Sequence, residues 1–235
     1  MKKAIFFVLL FHFTIVIMAQ SSHKVYLIHG YAGQNFEFVK IEKAVNKKGF
    51  ACEIFSYNSF KEEVDSVSKN LFDKIINDNF DTISFVAHSM GALVVRSLYK
   101  YIDSGTHFPF INRFVMIASP NKGTPVADYW GQFDFLKFIL GPNVVNLTTD
   151  PETGATKYPV PTCEVGLIIG VKGDQKGYNH FLKGDNDGVI PAKNTILGIE
   201  KELVYVNAPH FGMALNKKVV IHTINFLMHG SFKDF

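Results

Sequence analysis

The stretch that decides the fold is ISFVAHSMGALVVRSL, from Ile83 to Leu98. An apolar run ends at Ala87-His88-Ser89-Met90-Gly91, and a second apolar run follows it with helical spacing. We predict a strand over 82–87, a sharp turn at the serine, and then a helix. A turn this tight needs small residues two before and two after the serine, as found here. The serine is therefore either a helix cap or a nucleophile presented at a strand end.

Strand and helix patterns alternate along the rest of the chain. Short, near-continuous apolar runs predict strands, and stretches with helical spacing between them predict helices. The predicted strands are 24–29, 51–57, 82–87, 113–118, 163–171 and 202–207. This pattern is typical of an α/β protein with a mostly parallel sheet of about six strands and helices on both faces.

One helix start carries a more specific signal. Ser59 followed by Glu62 has the capping-box pattern, and apolar residues recur behind it at helical spacing from Val64 to Ile75. A further helix is predicted over 217–228, at the end of the chain.

The composition is that of a globular protein. The chain has 235 residues, of which 47% are hydrophobic and 19% charged, and this suits a single domain over residues 20–235. The formal charge of +3 is spread along the chain, and its basic clusters are only pairs such as Lys47-Lys48. We therefore expect no nucleic-acid partner, whereas the composition leaves the oligomeric state open.

Residues 1–19 have the pattern of a signal peptide. Two lysines precede an apolar run, and Met18-Ala19-Gln20 ends it, so we expect cleavage near Ala19 and export to a periplasm or the medium. The alternative is a membrane anchor, although the run is shorter than the ~20 residues that a spanning helix needs. No cysteine follows the run directly, which argues against lipid attachment there.

Parallel sheets carry their sites at the carboxyl ends of the strands, so the residues after each strand are the candidates. The first strand ends in His29-Gly30-Tyr31, where a glycine lets the backbone turn closely past a neighbouring group. We predict the Tyr31 and Met90 backbone N–H groups as oxyanion donors, with His29 and Gly30 forming the oxyanion loop. The alternative is an ordinary turn between a strand and a loop.

A serine nucleophile needs a base, and the base needs a carboxylate. His210 follows the sixth strand directly, with His180 as a weaker candidate. Asp187 follows the fifth strand, and Asp185 and Asp174 compete with it. Asp187 alone could be a simple Asp-Gly turn, and the aspartates could bind calcium, although their spacing misses the EF-hand pattern. We therefore expect no metal site.

Four features thus follow four different strands at the same end of the predicted sheet. The chain order Ser89, Asp187, His210 is the order found in α/β-hydrolases. Independent turn signals would rarely coincide in this way, so we predict Ser89 as nucleophile, His210 as base and Asp187 as acid.

The alternation of strands and helices lapses over residues 122–162. This part contains WGQFDFLKFILGPNVVNL, which is apolar on nearly every side. It is either a helix packed into the core or a small cap or lid over an acyl site. The candidate lid or acyl-pocket residues are Trp130, Phe133, Phe135 and Phe138.

These motifs resemble the bacterial lipase/esterase group of the α/β-hydrolase superfamily. VYLIHGYAG resembles its oxyanion loop, FVAHSMGALVVR its nucleophile elbow, and NDGVIP and NAPHFGM its downstream signature. The resemblance covers roughly residues 24–232, and its one departure is Ala87 in place of the more usual glycine. It implies an α/β-hydrolase fold, hydrolysis of carboxylic esters by the same three residues, and no organic cofactor. We further expect acyl or lipid esters as the substrates and a transient contact with a lipid surface.

The strand order implied by the resemblance also bears on the cysteines. It places Cys52 and Cys163 four strand spacings apart, about 19 Å at ~4.8 Å each, so we expect two free thiols. Several functional alternatives stay open: a thioesterase, amidase or acyltransferase with the same residues, and a non-catalytic binding protein on a hydrolase scaffold. The choice between a lipase and a soluble esterase is open as well.

Overall fold

The computed structural model describes residues 22–33, 35–102, 105 and 107–233, and the signal peptide predicted for residues 1–19 lies outside them. The strands are β1 (His23–Ile28), β2 (Ala51–Phe55), β3 (Thr82–His88), β4 (Phe110–Ile117), β5 (Glu164–Val171) and β6 (Glu202–Asn207). They form one six-stranded sheet in the order β2-β1-β3-β4-β5-β6. Every neighbouring pair is parallel, which confirms the predicted fold class and strand order.

The longer helices are α1 (Val39–Lys47), α2 (Val64–Asp78), α3 (Gly91–Leu98) and α8 (Lys217–His229). The shorter ones are α4 (Pro125–Trp130), α5 (Asp134–Leu140), α6 (Asn143–Asn146) and α7 (Ala192–Thr195). Turns of 3-10 helix occur at Asn35–Phe38, Ala155–Lys157 and His210–Gly212. Within the part of the chain that the structure describes, every helix is too short or too polar to span a bilayer.

Each face of the sheet is covered by its own apolar cluster. In β1, Tyr26 and Ile28 point into a cluster that they share with residues of α2 and α3. Val25 and Leu27 point into the opposite cluster, shared with residues of α1 and α8. Because both faces of the sheet are buried, the strands are near-continuous apolar runs.

The predicted capping box is wrong. Helix α2 begins at Val64, and its first N–H donates to Asn143 Oδ1 of α6, 3.0 Å away. Ser59 Oγ instead accepts a hydrogen bond from the Ala32 N–H at 3.0 Å. The polar groups near this helix start therefore connect distant parts of the chain, which a local pattern does not reveal.

Residues 122–162 do not form a core helix. They contain three short helices, and α5 buries none of its residues, so that interpretation of the apolar stretch is wrong. The end of the segment is held by buried Arg96 of α3, which donates to the carbonyl oxygens of Tyr158, Pro159 and Asn121. Burial lowers the pKa of Arg96 to about 10, so its guanidinium stays charged at neutral pH.

Both cysteines are free thiols. Cys52 lies on the edge strand β2, and Cys163 directly precedes β5, four strand positions away. This separation far exceeds the ~7 Å between Cα atoms that a disulfide allows.

Candidate active site

The turn after β3 is a tight elbow. Ser89 has a φ of 52°, which is rare for a residue with a side chain, and its N–H donates to the Ile117 carbonyl at 2.9 Å. A Cβ atom at Gly91 would lie 2.3 Å from the Ile28 carbonyl oxygen. The end of β1 therefore crosses the start of α3 so closely that only glycine fits there, and the elbow presents Ser89 above the sheet.

Ser89, His210 and Asp187 form a continuous hydrogen-bonded line. His210 Nε2 lies 3.0 Å from Ser89 Oγ, and His210 Nδ1 lies 2.6 Å from Asp187 Oδ2. All three residues are buried. An ionised carboxylate can only accept a hydrogen bond, so the contact with Asp187 assigns the ring proton of His210 to Nδ1. In this tautomer the lone pair of Nε2 faces the Ser89 hydroxyl.

Backbone contacts fix the positions of Asp187 and His210. The other carboxylate oxygen of Asp187 accepts the N–H groups of Val189 and Ile190 at 2.9 and 2.7 Å. The His210 N–H donates to the Asp187 carbonyl oxygen at 2.8 Å. The loops after β5 and β6 are therefore bonded to each other, and the side chains of Asp187 and His210 are held in contact in advance.

The competing residues have other roles. Asp185 accepts the N–H groups of Lys172 and Gly173 and so shapes the loop after β5. Asp174 bonds to the Lys172 ammonium and to backbone N–H groups, which lower its pKa to about 2, and His180 is exposed. Among the described residues, no three His, Cys, Asp or Glu side chains are grouped as metal ligands.

The backbone after β1 passes directly beside Ser89. A Cβ atom at Gly30 would lie 2.7 Å from Ser89 Cβ, so a side chain there would displace the serine. Within the described part of the chain, neither the Tyr31 N–H nor the Met90 N–H donates to a protein acceptor. Both N–H groups can therefore donate to a bound molecule.

Two tyrosines anchor this loop. The Tyr57 hydroxyl donates to the His29 carbonyl oxygen at 2.6 Å, and the rings of Tyr57 and His29 stack with their centroids 4.1 Å apart. The Tyr31 hydroxyl donates to the Leu140 carbonyl oxygen. Burial raises the pKa of Tyr31 to about 12 and that of Tyr57 well above its usual value, so both remain donors. His29 is thus a residue of the turn, engaged away from the serine.

The sequence interpretation missed a second buried pair beside the catalytic candidates. The His88 ring lies 4.9 Å from the His210 ring, and its Nδ1 is 3.4 Å from Glu37 Oε1. The same carboxylate oxygen accepts the Gly30 N–H at 3.4 Å. Glu37 thereby links the oxyanion loop to a ring that packs against His210. Only the position of His88 next to the serine hinted at this arrangement.

A cavity of about 440 Å³ opens above Ser89. Its walls are mostly apolar and come from six parts of the chain. The lining residues are Tyr31, Ala32, Phe60, Ser89, Pro120, Thr124, Val126, Ala127, Trp130, Leu140, Val144, Leu147, Asn179, Gly188, Val189, Ile190, His210 and Phe211. Leu140, Val144 and Leu147 belong to the apolar segment that the sequence singled out, but their own role was not foreseen.

Of the four aromatic residues predicted for a lid or acyl pocket, only Trp130 lines this cavity. Phe133, Phe135 and Phe138 lie outside it, and their exposed fractions are 45%, 71% and 88%. They therefore form part of the outer surface and are not walls of this cavity, and a lid over it stays a prediction.

Solved structures share this architecture. The mature lipase BlEst2 of Bacillus licheniformis matches with a TM-score of 0.65 and 19% identity, over 88% of this chain and 91% of that chain. A metagenomic carboxyl esterase matches with a TM-score of 0.59 and 16% identity, over 82% and 65%. A lipase-esterase related protein of Clostridium acetobutylicum matches with a TM-score of 0.56 and 15% identity, over 88% and 95%. At these identities the likeness establishes the fold and leaves the activity open.

The predicted resemblance to the bacterial lipase/esterase group is thus confirmed at the level of the fold. No protein of curated function matches the chain in sequence. Residues 20–160 match a family described as a domain of unknown function, DUF7379. This match spans more than half of the chain, so the protein belongs to the DUF7379 family and has the α/β-hydrolase fold.

Proposed function

We propose that this protein is an exported serine hydrolase that cleaves carboxylic esters, with acyl or lipid esters as substrates. The observation that carries the proposal is the buried line of hydrogen bonds from Asp187 through His210 to Ser89 at the base of an apolar cavity. In this arrangement a hydroxyl, a base and a group that orients the base meet where a carbonyl carbon can approach the hydroxyl.

In the first half-reaction His210 Nε2 takes the proton from Ser89 Oγ as the oxygen attacks the ester carbonyl carbon. Asp187 stabilises the imidazolium through the bond to Nδ1. The negative charge on the former carbonyl oxygen is received by the Tyr31 and Met90 N–H groups. Each such donor contributes about 3–4 kcal/mol in other serine hydrolases.

The tetrahedral intermediate then collapses. The bond from carbon to the alcohol oxygen breaks, and His210 Nε2 returns its proton to that oxygen. A water molecule next attacks the acyl-enzyme and gives a proton to Nε2, and the proton passes to Ser89 Oγ as the carboxylic acid leaves. This route uses only side chains and backbone groups of the chain, so it requires no cofactor.

The lining of the cavity supports a hydrocarbon acyl group as the bound part of the substrate. Among its described lining residues there is no Asp, Glu, Lys or Arg. Burying apolar surface contributes about 0.8 kcal/mol per methylene, whereas a charged chain would lose its hydration without a partner. Longer acyl chains should therefore bind more tightly until the cavity is full.

Exposed aromatic residues near the cavity support transient contact with a lipid surface. Phe211 lines the cavity and is 76% exposed, and Phe135 and Phe138 lie on the exposed helix α5. Single exposed apolar residues are ordinary, but Phe211 at the cavity and two further exposed phenylalanines on a helix whose last residue, Leu140, lines the cavity support an interaction surface. A rate that rises sharply when the substrate exceeds its solubility limit would support a lipase, and a smooth saturation curve would support a soluble esterase.

Export is the remaining part of the proposal and rests on the signal-peptide pattern of residues 1–19. We expect the mature protein outside the cytoplasm to begin at Gln20. Amino-terminal sequencing of the exported protein tests this, and a chain that retains residues 1–19 would favour the membrane anchor.

The reaction class is tested with matched ester, thioester and amide substrates that share one acyl group, followed by a series of ester chain lengths. We expect the ester to give the highest kcat/KM. Ser89→Ala is the negative control, and Ser66→Ala, an exposed serine of α2, is the matched positive control. A thioester or amide turned over faster than the ester would replace ester hydrolysis by that reaction.

A further inference from the structure

A second apolar groove lies beside the cavity that contains Ser89. Its volume is about 560 Å³, and it shares Val126, Trp130 and Asn179 with the first cavity. Its remaining walls come from α4 and from the loop after β5. These residues are Pro125, Tyr129, Phe181 and Leu182. The two spaces therefore meet along α4, and the groove is a side branch of the proposed active site.

The strand order shows on which side of the nucleophile the groove lies. Ser89 follows β3, with the β1 loop that carries Tyr31 on one side and the strands β4, β5 and β6 on the other. Asn179 Nδ2 donates to the Gly188 carbonyl oxygen at 3.1 Å, next to Asp187. The groove is thus attached to the loop of the proposed acid, on the side of the acid and base.

The same side is where the alcohol must leave. In the proposed mechanism His210 Nε2 gives its proton to the alcohol oxygen, so the alcohol lies against His210 when the bond breaks. The acyl oxygen meanwhile points at Tyr31 and Met90. An alcohol with its own chain would therefore extend toward Asn179 and into the groove.

The walls of the groove specify what kind of chain it takes. Its described lining contains no charged residue and no histidine. The polar side-chain groups of this described lining are the Asn179 amide, the Tyr129 hydroxyl and the Trp130 indole N–H. The Asn179 amide is already engaged, because Nδ2 donates to the Gly188 carbonyl oxygen and Oδ1 accepts the Phe181 N–H at 3.0 Å. A polar or charged head group would find few partners here, whereas a hydrocarbon chain would bury apolar surface.

We propose that this groove binds a hydrocarbon chain on the alcohol part of the substrate, so that the enzyme prefers esters with an apolar chain on each side of the scissile bond. This inference rests on the proposed ester hydrolysis and extends it from the acyl group to the leaving group. Glycerolipids with more than one acyl chain belong to this substrate class, and esters of methanol do not.

The test uses butyrate esters of methanol, butanol and hexanol, all below their solubility limits so that no lipid surface forms. We expect kcat/KM to rise about threefold for each methylene that enters the groove, a value somewhat below full burial. The quantity to compare is the ratio of kcat/KM for hexyl butyrate to that for methyl butyrate. A series of methyl esters with longer acyl chains serves as the internal reference.

Two variants alter the groove at exposed positions, where the fold is not at risk. Phe181 and Tyr129 are 98% and 59% exposed, and neither lines the Ser89 cavity. We expect Phe181→Ser and Tyr129→Ser each to lower the hexyl-to-methyl ratio about threefold to fivefold, and to change the acyl series less. Phe110→Ser is the matched control, because Phe110 is equally apolar, 66% exposed, and lies at the start of β4, the opposite end of the sheet.

The outcomes separate the two proposals. A wild-type enzyme that hydrolyses methyl butyrate but shows no dependence on alcohol length would overturn the groove and leave ester hydrolysis standing. A ratio lowered equally by Phe110→Ser would also overturn it. No hydrolysis of any ester, together with no reaction of Ser89, would remove the proposed function and the groove with it.

Discussion

The strand ends around Ser89 and the segment 122–162 differ in how their residues are held. Ser89, Asp187 and His210 are buried, and each has hydrogen-bonded partners from a neighbouring strand end. Helix α5 buries none of its residues, and Phe138 is 88% exposed. Both regions are conspicuous in the sequence. The structure around Ser89 could be predicted from its residue types, whereas the structure of the segment 122–162 could not.

The physical reason is the source of the constraint. At the elbow the backbone itself selects the residues, because a Cβ atom at Gly91 or Gly30 would collide with a neighbouring strand end or with Ser89. In α5 no comparable collision selects the apolar residues. An apolar residue type favours burial, but it does not identify the surface against which the side chain packs.

The largest expected effect is at the nucleophile. We expect Ser89→Ala to lower kcat/KM for a nitrophenyl ester by about 10⁶-fold, because the substitution removes the attacking atom itself. Stopped assays at high enzyme concentration, with circular dichroism to verify folding, measure this. Turnover close to that of the wild type would end the distinction between the two regions.

A smaller loss is expected at the acid. Asp187→Asn keeps the shape but favours the wrong imidazole tautomer, so kcat should fall by about 10⁴-fold. Asp185→Asn is the matched control, since within the described part of the chain the Asp185 carboxylate accepts hydrogen bonds only from backbone N–H groups of its own loop region. If the control lost as much activity as Asp187→Asn, the acid would have been assigned to the wrong residue.

The next effect tests the close approach of the oxyanion loop. Gly30→Ala would place a methyl group 2.7 Å from Ser89 Cβ, so the loop or the serine must shift. A displacement of about 1 Å at a reacting group costs roughly 10²-fold in rate. We expect kcat to fall by that factor with the protein still folded, and an unchanged kcat would show that the loop is not part of the site.

The smallest effect is expected in the exposed segment. Phe138→Ala should change the free energy of unfolding by less than about 0.5 kcal/mol, because the side chain is mostly in water already. Phe85→Ala in β3, whose side chain is fully buried, should cost about 3–5 kcal/mol. Urea unfolding of the two variants compares them. Equal losses would show that Phe138 packs against the protein in solution.

The features that the sequence predicts correctly are those that depend on residue spacing and on the order of motifs along the chain. The parallel sheet follows from apolar runs without alternation, and the six-strand order follows from the resemblance. His210 directly follows the sixth predicted strand and Asp187 lies in the loop after the fifth, and their side chains contact each other. These features depend on local backbone geometry, which short motifs encode.

Polar contacts between different elements could not be predicted from the sequence. Asn143 caps α2 across the chain, Arg96 holds the end of the 122–162 segment, and Glu37 bonds to Gly30 near His88. Each partner is distant in sequence or has an ordinary residue type, so no spacing indicates the pairing. The capping-box prediction was wrong for the same reason, because Ser59 Oγ accepts its hydrogen bond from the Ala32 N–H and not from the start of α2.

The most direct test of the central claim is covalent labelling of the folded protein with a fluorophosphonate, followed by peptide mapping. An activated serine hydroxyl displaces fluoride from phosphorus, whereas ordinary serines do not react at a comparable rate. We predict one adduct, on Ser89, and a strongly reduced labelling rate in His210→Ala. An unlabelled Ser89 in folded protein, or a labelling rate that does not depend on His210, would contradict it.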